Sequence, residues 1–72
     1  MNAYEKLANA IVLRAVEDYR DALKRLHRFP NDRDSRIAKA EVERFFRSDW
    51  FLTLTSLDPE LLIEKLTSEV SA

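Results

Sequence analysis

Few side chains in this sequence could do catalytic chemistry. His27 is the only histidine and there is no cysteine, so neither a Cys–His pair nor a histidine-rich metal site can form. Ser48, His27 and Asp49 could be written as a hydrolytic triad. Ser48 and Asp49 are adjacent, however, and this pairing is typical of a capped helix start. The sequence therefore indicates a protein that is not an enzyme.

Two pairs of acidic residues could in principle bind a cation or share a proton. Asp32 and Asp34 have the spacing that opens a calcium-binding loop, but no glycine and no bidentate acid follow at the required distance. Turn and capping roles explain them better. Glu41 and Glu43 fall on different faces of a helix and do not form a carboxylate dyad. We therefore expect no metal and no cofactor.

Charge is unevenly distributed along the chain, although the net charge is only −1. Residues 20–47 carry nine basic and five acidic side chains, a net +4, whereas residues 48–72 carry one lysine and five acids, a net −4. Solvated helix faces explain such asymmetry most simply, and the functional alternative is a basic patch for phosphates or an acidic protein surface. The residues of this basic patch are Arg20, Lys24, Arg25, Arg28, Arg33, Arg36 and Lys39.

Length and composition indicate one all-α domain covering residues 1–72. The chain has no glycine, and both prolines lie where helices would be punctuated. A domain this small and without disulfides needs an efficient core or a partner chain. No apolar stretch approaches the roughly 20 residues that span a bilayer, and the first residues do not resemble a signal peptide. We therefore expect a cytoplasmic protein that does not contact membranes.

Apolar periodicity predicts a small helical bundle. A long first helix covers Ala3–Arg28, with Asn2 as its N-cap, and Pro30 ends it. A second helix, about Arg33–Arg47, should return antiparallel because the loop is short. Two further elements are predicted: a short aromatic helical turn over Asp49–Leu54 capped by Ser48, and a C-terminal helix from Pro59 to about Val70 capped by Asp58.

The middle of the first helix is apolar on almost every side, which is typical of a helix buried on all sides. Three short helices can hardly surround it, so a second copy of the chain should cover the remaining face. We therefore expect a homo-oligomer, most simply a dimer. The candidate interface residues on this helix are Ile11, Val12, Leu13 and Val16.

The segment Phe45–Phe51 contains four large aromatic residues and should organise the core, with Trp50 buried. Arg47 and Asp49 lie within it and need partners. In a structural role, Asp49 binds a helix N-terminus while Arg47 covers Trp50 or pairs with an acid. In the alternative, Arg44, Arg47 and Trp50 form a binding hot spot.

Three segments carry a resemblance to known proteins. They are Ala10-Ile11-Val12-Leu13 with Asp18-Tyr19-Arg20, then Glu43-Arg44-Phe45-Phe46-Arg47-Ser48-Asp49-Trp50-Phe51, and Leu62-Ile63-Glu64-Lys65-Leu66. The chain resembles small uncharacterised proteins of prophages and integrative elements in Gram-positive bacteria, which carry no agreed enzymatic activity. Small phage proteins of this kind often bind host machinery, including as inhibitors of CRISPR effectors. The resemblance thus implies a genomic setting and a class of function.

Three functions remain open. The first is a non-enzymatic module of a phage or mobile element that binds a host protein and inhibits a bacterial defence system. The second is nucleic-acid binding through the basic helical hairpin at 20–47, against which the net charge and the interspersed acids weigh. The third is a homo-oligomer that sequesters a nucleotide between arginines and tyrosines at a subunit interface.

Overall fold

The computed structural model describes residues 2–71, which form four helices and no strand. The helices are α1 (Ala3–Arg28), α2 (Arg33–Phe46), α3 (Asp49–Leu54) and α4 (Pro59–Ser71). The predicted all-α bundle is confirmed, and α2 ends one residue earlier than expected. No helix within residues 2–71 has the length and apolar content required to cross a membrane.

Short polar side chains begin all four helices. Asn2, Asp32, Ser48 and Asp58 each accept a hydrogen bond from a backbone N–H in the first turn of the helix that follows. These bonds satisfy donors that a helix start otherwise leaves free. At the other end of α1, Phe29 leaves the helical region (φ −129°, ψ 81°), as the proline after it requires.

Long-range contacts between side chains define the topology. Arg25 bonds Ser35, and Tyr19 bonds Glu43, so α2 runs antiparallel to α1. The first turn of α4 lies beside the end of α2, and its last turn lies beside the middle of α1, where Glu69 accepts from Arg20. α4 is therefore roughly parallel to α1 and packs against it.

The core lies where α1, α2, α3 and α4 meet. Tyr19, Phe46 and Phe51 are completely buried there. Their rings pack edge to face, with centroids 5.5 Å apart for Tyr19 and Phe46 and 5.4 Å apart for Phe46 and Phe51. Val12, Val16, Leu23 and Leu66 complete the core.

The prediction that Trp50 belongs to the core is wrong, because 57% of its surface is exposed. α3 has only six residues, and successive residues of a helix point about 100° apart. Phe51 and Leu54, three residues apart, share the inward face, so Trp50 and Leu52 are left outside.

The first turns of α1 also differ from expectation. The spacing of Tyr4 and Leu7 along α1 predicts that both lie on its buried stripe, but they are 58% and 61% exposed. α1 has 26 residues and α2 has 14, so α1 extends roughly 18 Å beyond the length of α2. The start of α1 therefore lacks a full set of neighbours.

Candidate protein-binding surface

Ser48 fixes the junction between α2 and α3. Its hydroxyl donates to the carbonyl of Phe45 (2.6 Å) and accepts from the backbone N–H of Phe51 (3.2 Å). One side chain therefore ties the end of α2 to the start of α3. This bend directs Phe51 into the core and leaves Trp50 on the outside.

Trp50 is exposed and packs against a neighbouring aromatic ring. Its ring meets Phe45 edge to face, at 5.5 Å between centroids and 77° between planes. Phe45 in turn packs against buried Phe51 at 5.7 Å and 87°. Such aromatic pairs stabilise by about 0.5–1.5 kcal/mol beyond area burial. The indole therefore packs on an aromatic cluster and presents a large apolar surface to solvent.

A shallow apolar groove of about 270 Å³ lies beside Trp50, between α1 and α2. Its apolar lining consists of Ile11, Ala15, Val42, Phe45 and Trp50. We call it the Trp50 groove. Tyr4 and Leu7 continue the same stripe of α1, because residues 4, 7, 11 and 15 are three or four apart.

The polar rim of the Trp50 groove is formed by Arg14, Asp18 and Glu41. Arg14 Nε lies 3.3 Å from Asp18 Oδ1, and both side chains are exposed, so the pair adds little to stability. An apolar centre with a polar rim is the usual anatomy of a protein-binding surface.

A network of hydrogen bonds lies within the bundle, away from this groove. The hydroxyl of Tyr19 donates to Glu43 Oε2 at 2.5 Å, and Lys39 Nζ donates to the same oxygen at 2.7 Å. Burial, with help from the Glu43 carboxylate, raises the pKa of Tyr19 above its usual range. For Glu43, burial acts to raise the pKa, but hydrogen bonds from Lys39 and Tyr19 lower it overall. The network holds α1 to α2 and leaves Tyr19 unable to present its hydroxyl to a ligand.

Arg47 connects α2 to α4. Its Nε and Nη2 donate to the two carboxylate oxygens of Glu60 at 2.8 and 3.0 Å, and its Nη1 lies 3.9 Å from Glu43 Oε1. Arg47 therefore pairs with acids rather than covering Trp50. Arg44, the other arginine of the candidate hot spot, lies exposed in the last turn of α2 and has no salt bridge among residues 2–71.

The candidate interface on α1 does not form one surface. Val12 and Val16 are only 7% and 8% exposed, because α1 packs against the other helices there. They have no surface to give to a partner, so a second chain is not needed to cover them. Ile11 lines the Trp50 groove, whereas Leu13 is exposed and does not line it.

The predicted basic patch is divided among several partners. Arg20 donates to both carboxylate oxygens of Glu69, at 2.9 and 3.1 Å. Arg25 donates to Ser35, Lys39 bonds Glu43, and the guanidinium of Arg28 lies 5.5 Å from the Phe29 ring centroid. Among residues 2–71, four members of the patch form no salt bridge: Lys24, Arg28, Arg33 and Arg36.

The three residues of the nominal triad do not come together. His27 lies in the last turn of α1, near the start of α2, whereas Ser48 follows the end of α2. The length of α2, about 20 Å, separates them. Within residues 2–71, no group of three or more histidine, aspartate or glutamate side chains is arranged to hold a metal ion.

Comparison with models of protein families, with curated proteins and with solved structures finds no match for this chain. The candidate site is therefore defined by its own geometry. Of the residues that line the groove, Ile11 and Trp50 were predicted interface residues, although Trp50 was also predicted to be buried. Ala15, Val42 and Phe45 were not predicted to belong to a binding surface. The spacing of Phe51 and Leu54 could have corrected the prediction for Trp50. Residues three apart share one face of a helix, so a face formed by Phe51 and Leu54 leaves Trp50 exposed.

Proposed function

We propose that this chain is a non-enzymatic protein-binding module of a phage or mobile element, which binds a host protein through the Trp50 groove. The observation that carries the proposal is the indole of Trp50, which is 57% exposed and packs edge to face against Phe45. Tryptophan is among the residues that most often dominate binding energy, and a rigid ring loses little conformational freedom on binding.

The surroundings of Trp50 support the same function. Single exposed apolar residues are normal on a protein surface, but contiguous ones with a polar rim mark interaction sites. Here Ile11, Val42 and Phe45 line one groove with Trp50, and Tyr4 and Leu7 extend its stripe along α1. The resemblance to prophage and integrative-element proteins supports a bacterial host protein as the partner, and inhibition of a defence system as the role.

Nucleic-acid binding through the hairpin at 20–47 is the second candidate. The observation in its favour is a row of exposed arginines on α2, Arg33, Arg36 and Arg44, which form no salt bridge among residues 2–71. Phosphate contacts from such residues make binding steeply dependent on salt. A chain that binds through the Trp50 groove should instead lose affinity when Trp50 is replaced and keep it when Arg33 or Arg36 is replaced.

The test is an affinity capture from a Gram-positive host that expresses the tagged chain, with crosslinking before lysis. Wild type is compared with Trp50→Ala and with Leu52→Ala, a matched control on the same helix that is equally exposed but does not line the groove. We expect a specific host protein with wild type and Leu52→Ala, and its loss with Trp50→Ala. The same set of proteins from all three would contradict the proposal.

A further inference from the structure

The Trp50 groove continues along the helical hairpin into an acidic hollow. This hollow has a volume of about 490 Å³ and shares Asp18, Glu41 and Val42 with the groove. Asp21 and Asp34 lie at its far end. We call the groove and the hollow together the α1–α2 furrow.

The acids of the furrow are largely unpaired. The carboxylates of Asp21, Asp34 and Glu41 form no side-chain hydrogen bond or salt bridge with any other of residues 2–71. Arg25, the cation that lines the hollow, donates to Ser35 at 3.2 Å and lies 3.9 Å from Asp32. The furrow is therefore apolar at the Trp50 end and negatively charged at the Asp34 end.

The shape of the furrow fits a helix. Two antiparallel helices present a groove into which the ridge of a third helix can pack. From Asp34 to Phe45 the furrow follows α2 for eleven residues, about 17 Å, which is three helical turns. Arg20 bonds to Glu69 of α4, whereas Asp18 lines the furrow. The two side chains point about 160° apart around α1, so α4 packs on the opposite side of α1 and leaves the furrow open.

We infer that the α1–α2 furrow binds one amphipathic helix of about three turns from the partner protein, with apolar residues over Trp50 and lysines or arginines beside Asp21, Asp34 and Glu41. This inference rests on the proposed function and specifies the chemistry of the partner. Apolar anchors at i, i+3, i+4 and i+7 fill the groove, as in other helix-in-groove complexes. The unpaired carboxylates attract the end of the bound helix that carries lysines or arginines. This charge pairing determines which way the helix lies in the furrow.

The test starts from a displayed library of helical peptides that contain no tryptophan. One end of each peptide carries leucines at i, i+3, i+4 and i+7, and the other positions are random. Selection on the wild-type chain should enrich lysine and arginine at the end away from the leucines. Trp50 is the only tryptophan, so its fluorescence reports binding at the groove directly. The selected peptides should shift its emission to shorter wavelength.

Charge reversal identifies the role of the acids. The double variant Asp34→Lys/Glu41→Lys should bind the selected peptides at least about tenfold more weakly at low salt, and selection on it should enrich acidic residues instead. The double variant Glu17→Lys/Glu64→Lys changes the net charge equally at exposed acids that do not line the furrow, so it is the matched control and should change affinity by less than about twofold.

Three results would overturn the inference. Failure to select any helical peptide would exclude a helix as occupant. Peptides with no charge preference that lose binding with Trp50→Ala would leave the Trp50 groove as a binding surface but remove the basic helix. Self-association of the chain, seen by light scattering and abolished by Trp50→Ala, would make a second copy the occupant.

Discussion

Trp50 and Phe51 are neighbours in the chain with opposite surroundings, so replacing each by alanine should have very different effects on stability. Phe51 is completely buried and packs against Phe45 and Phe46. Removing a buried phenylalanine ring costs about 3–5 kcal/mol. A domain of this size has a total free energy of unfolding of about 4–11 kcal/mol, so Phe51→Ala should lose a large part of it and unfold at a much lower urea concentration than wild type.

The cost of Trp50→Ala follows from the part of its surface that is covered. Trp50 is 57% exposed, which leaves about 110 Å² covered if its whole surface is about 250 Å². At about 25 cal/mol per Å² this area corresponds to about 2.7 kcal/mol. The alanine that replaces it and the residual burial in the unfolded chain reduce the difference to about 1–2 kcal/mol. Trp50→Ala should therefore stay folded.

Urea denaturation followed by circular dichroism at the helix band measures both changes, since it does not depend on the single tryptophan. We expect full helix content for Trp50→Ala and a midpoint only modestly below wild type. An unfolded Trp50→Ala variant, or a cost near 4 kcal/mol, would mean that the indole is a core residue. The same result would remove the basis for treating Trp50 as a binding residue.

Three further predictions concern the polar contacts. Tyr19→Phe removes the donor to Glu43, while Lys39 remains bonded to that carboxylate, so the free energy of unfolding should fall by about 1 kcal/mol in urea denaturation; no change would mean that the bond is not formed. The pKa of Glu43 is lowered in the folded chain, so its stabilisation is fully present above the unfolded value of about 4.5 and is lost as the pH falls through the lower folded value. Between about pH 5 and pH 3, the free energy of unfolding of Glu43→Gln should therefore fall less than that of wild type. An identical fall in the two proteins would contradict a lowered pKa of Glu43. Ser48→Ala removes the α3 cap and should cost about 1 kcal/mol in thermal melts, whereas a change below about 0.3 kcal/mol would show that the cap is not needed.

The sequence was sufficient to predict the helices, because their starts and ends depend on local signals. Asn2, Ser48 and Asp58 were each expected to cap a helix and do so. Pro30 ends the first helix because its effect on the preceding residue is local. The antiparallel hairpin followed from the short loop between α1 and α2.

The surface could be predicted only in part, because burial depends on which helices meet. Val12 and Leu13 are adjacent and similar in character, yet Val12 is core and Leu13 is 60% exposed. The apolar content of α1 suggested a second chain, but α2, α3 and α4 cover Val12 and Val16 from within the same chain. The acidic end of the furrow could not be predicted from the sequence, because Asp21 on α1 and Asp34 on α2 lie in one hollow only after the two helices pack as a hairpin.

If the Trp50 groove is the partner-binding surface, the affinity of the captured host protein should depend on Trp50 and not on Leu52. Isothermal titration of that protein with wild type, Trp50→Ala and Leu52→Ala gives the three dissociation constants. We expect Trp50→Ala to bind at least about 30-fold more weakly, which corresponds to a hot-spot loss of about 2 kcal/mol, and Leu52→Ala to stay within about threefold of wild type. Equal affinities for wild type and Trp50→Ala, or an equal loss of affinity in the two variants, would show that the Trp50 groove is not the partner-binding surface.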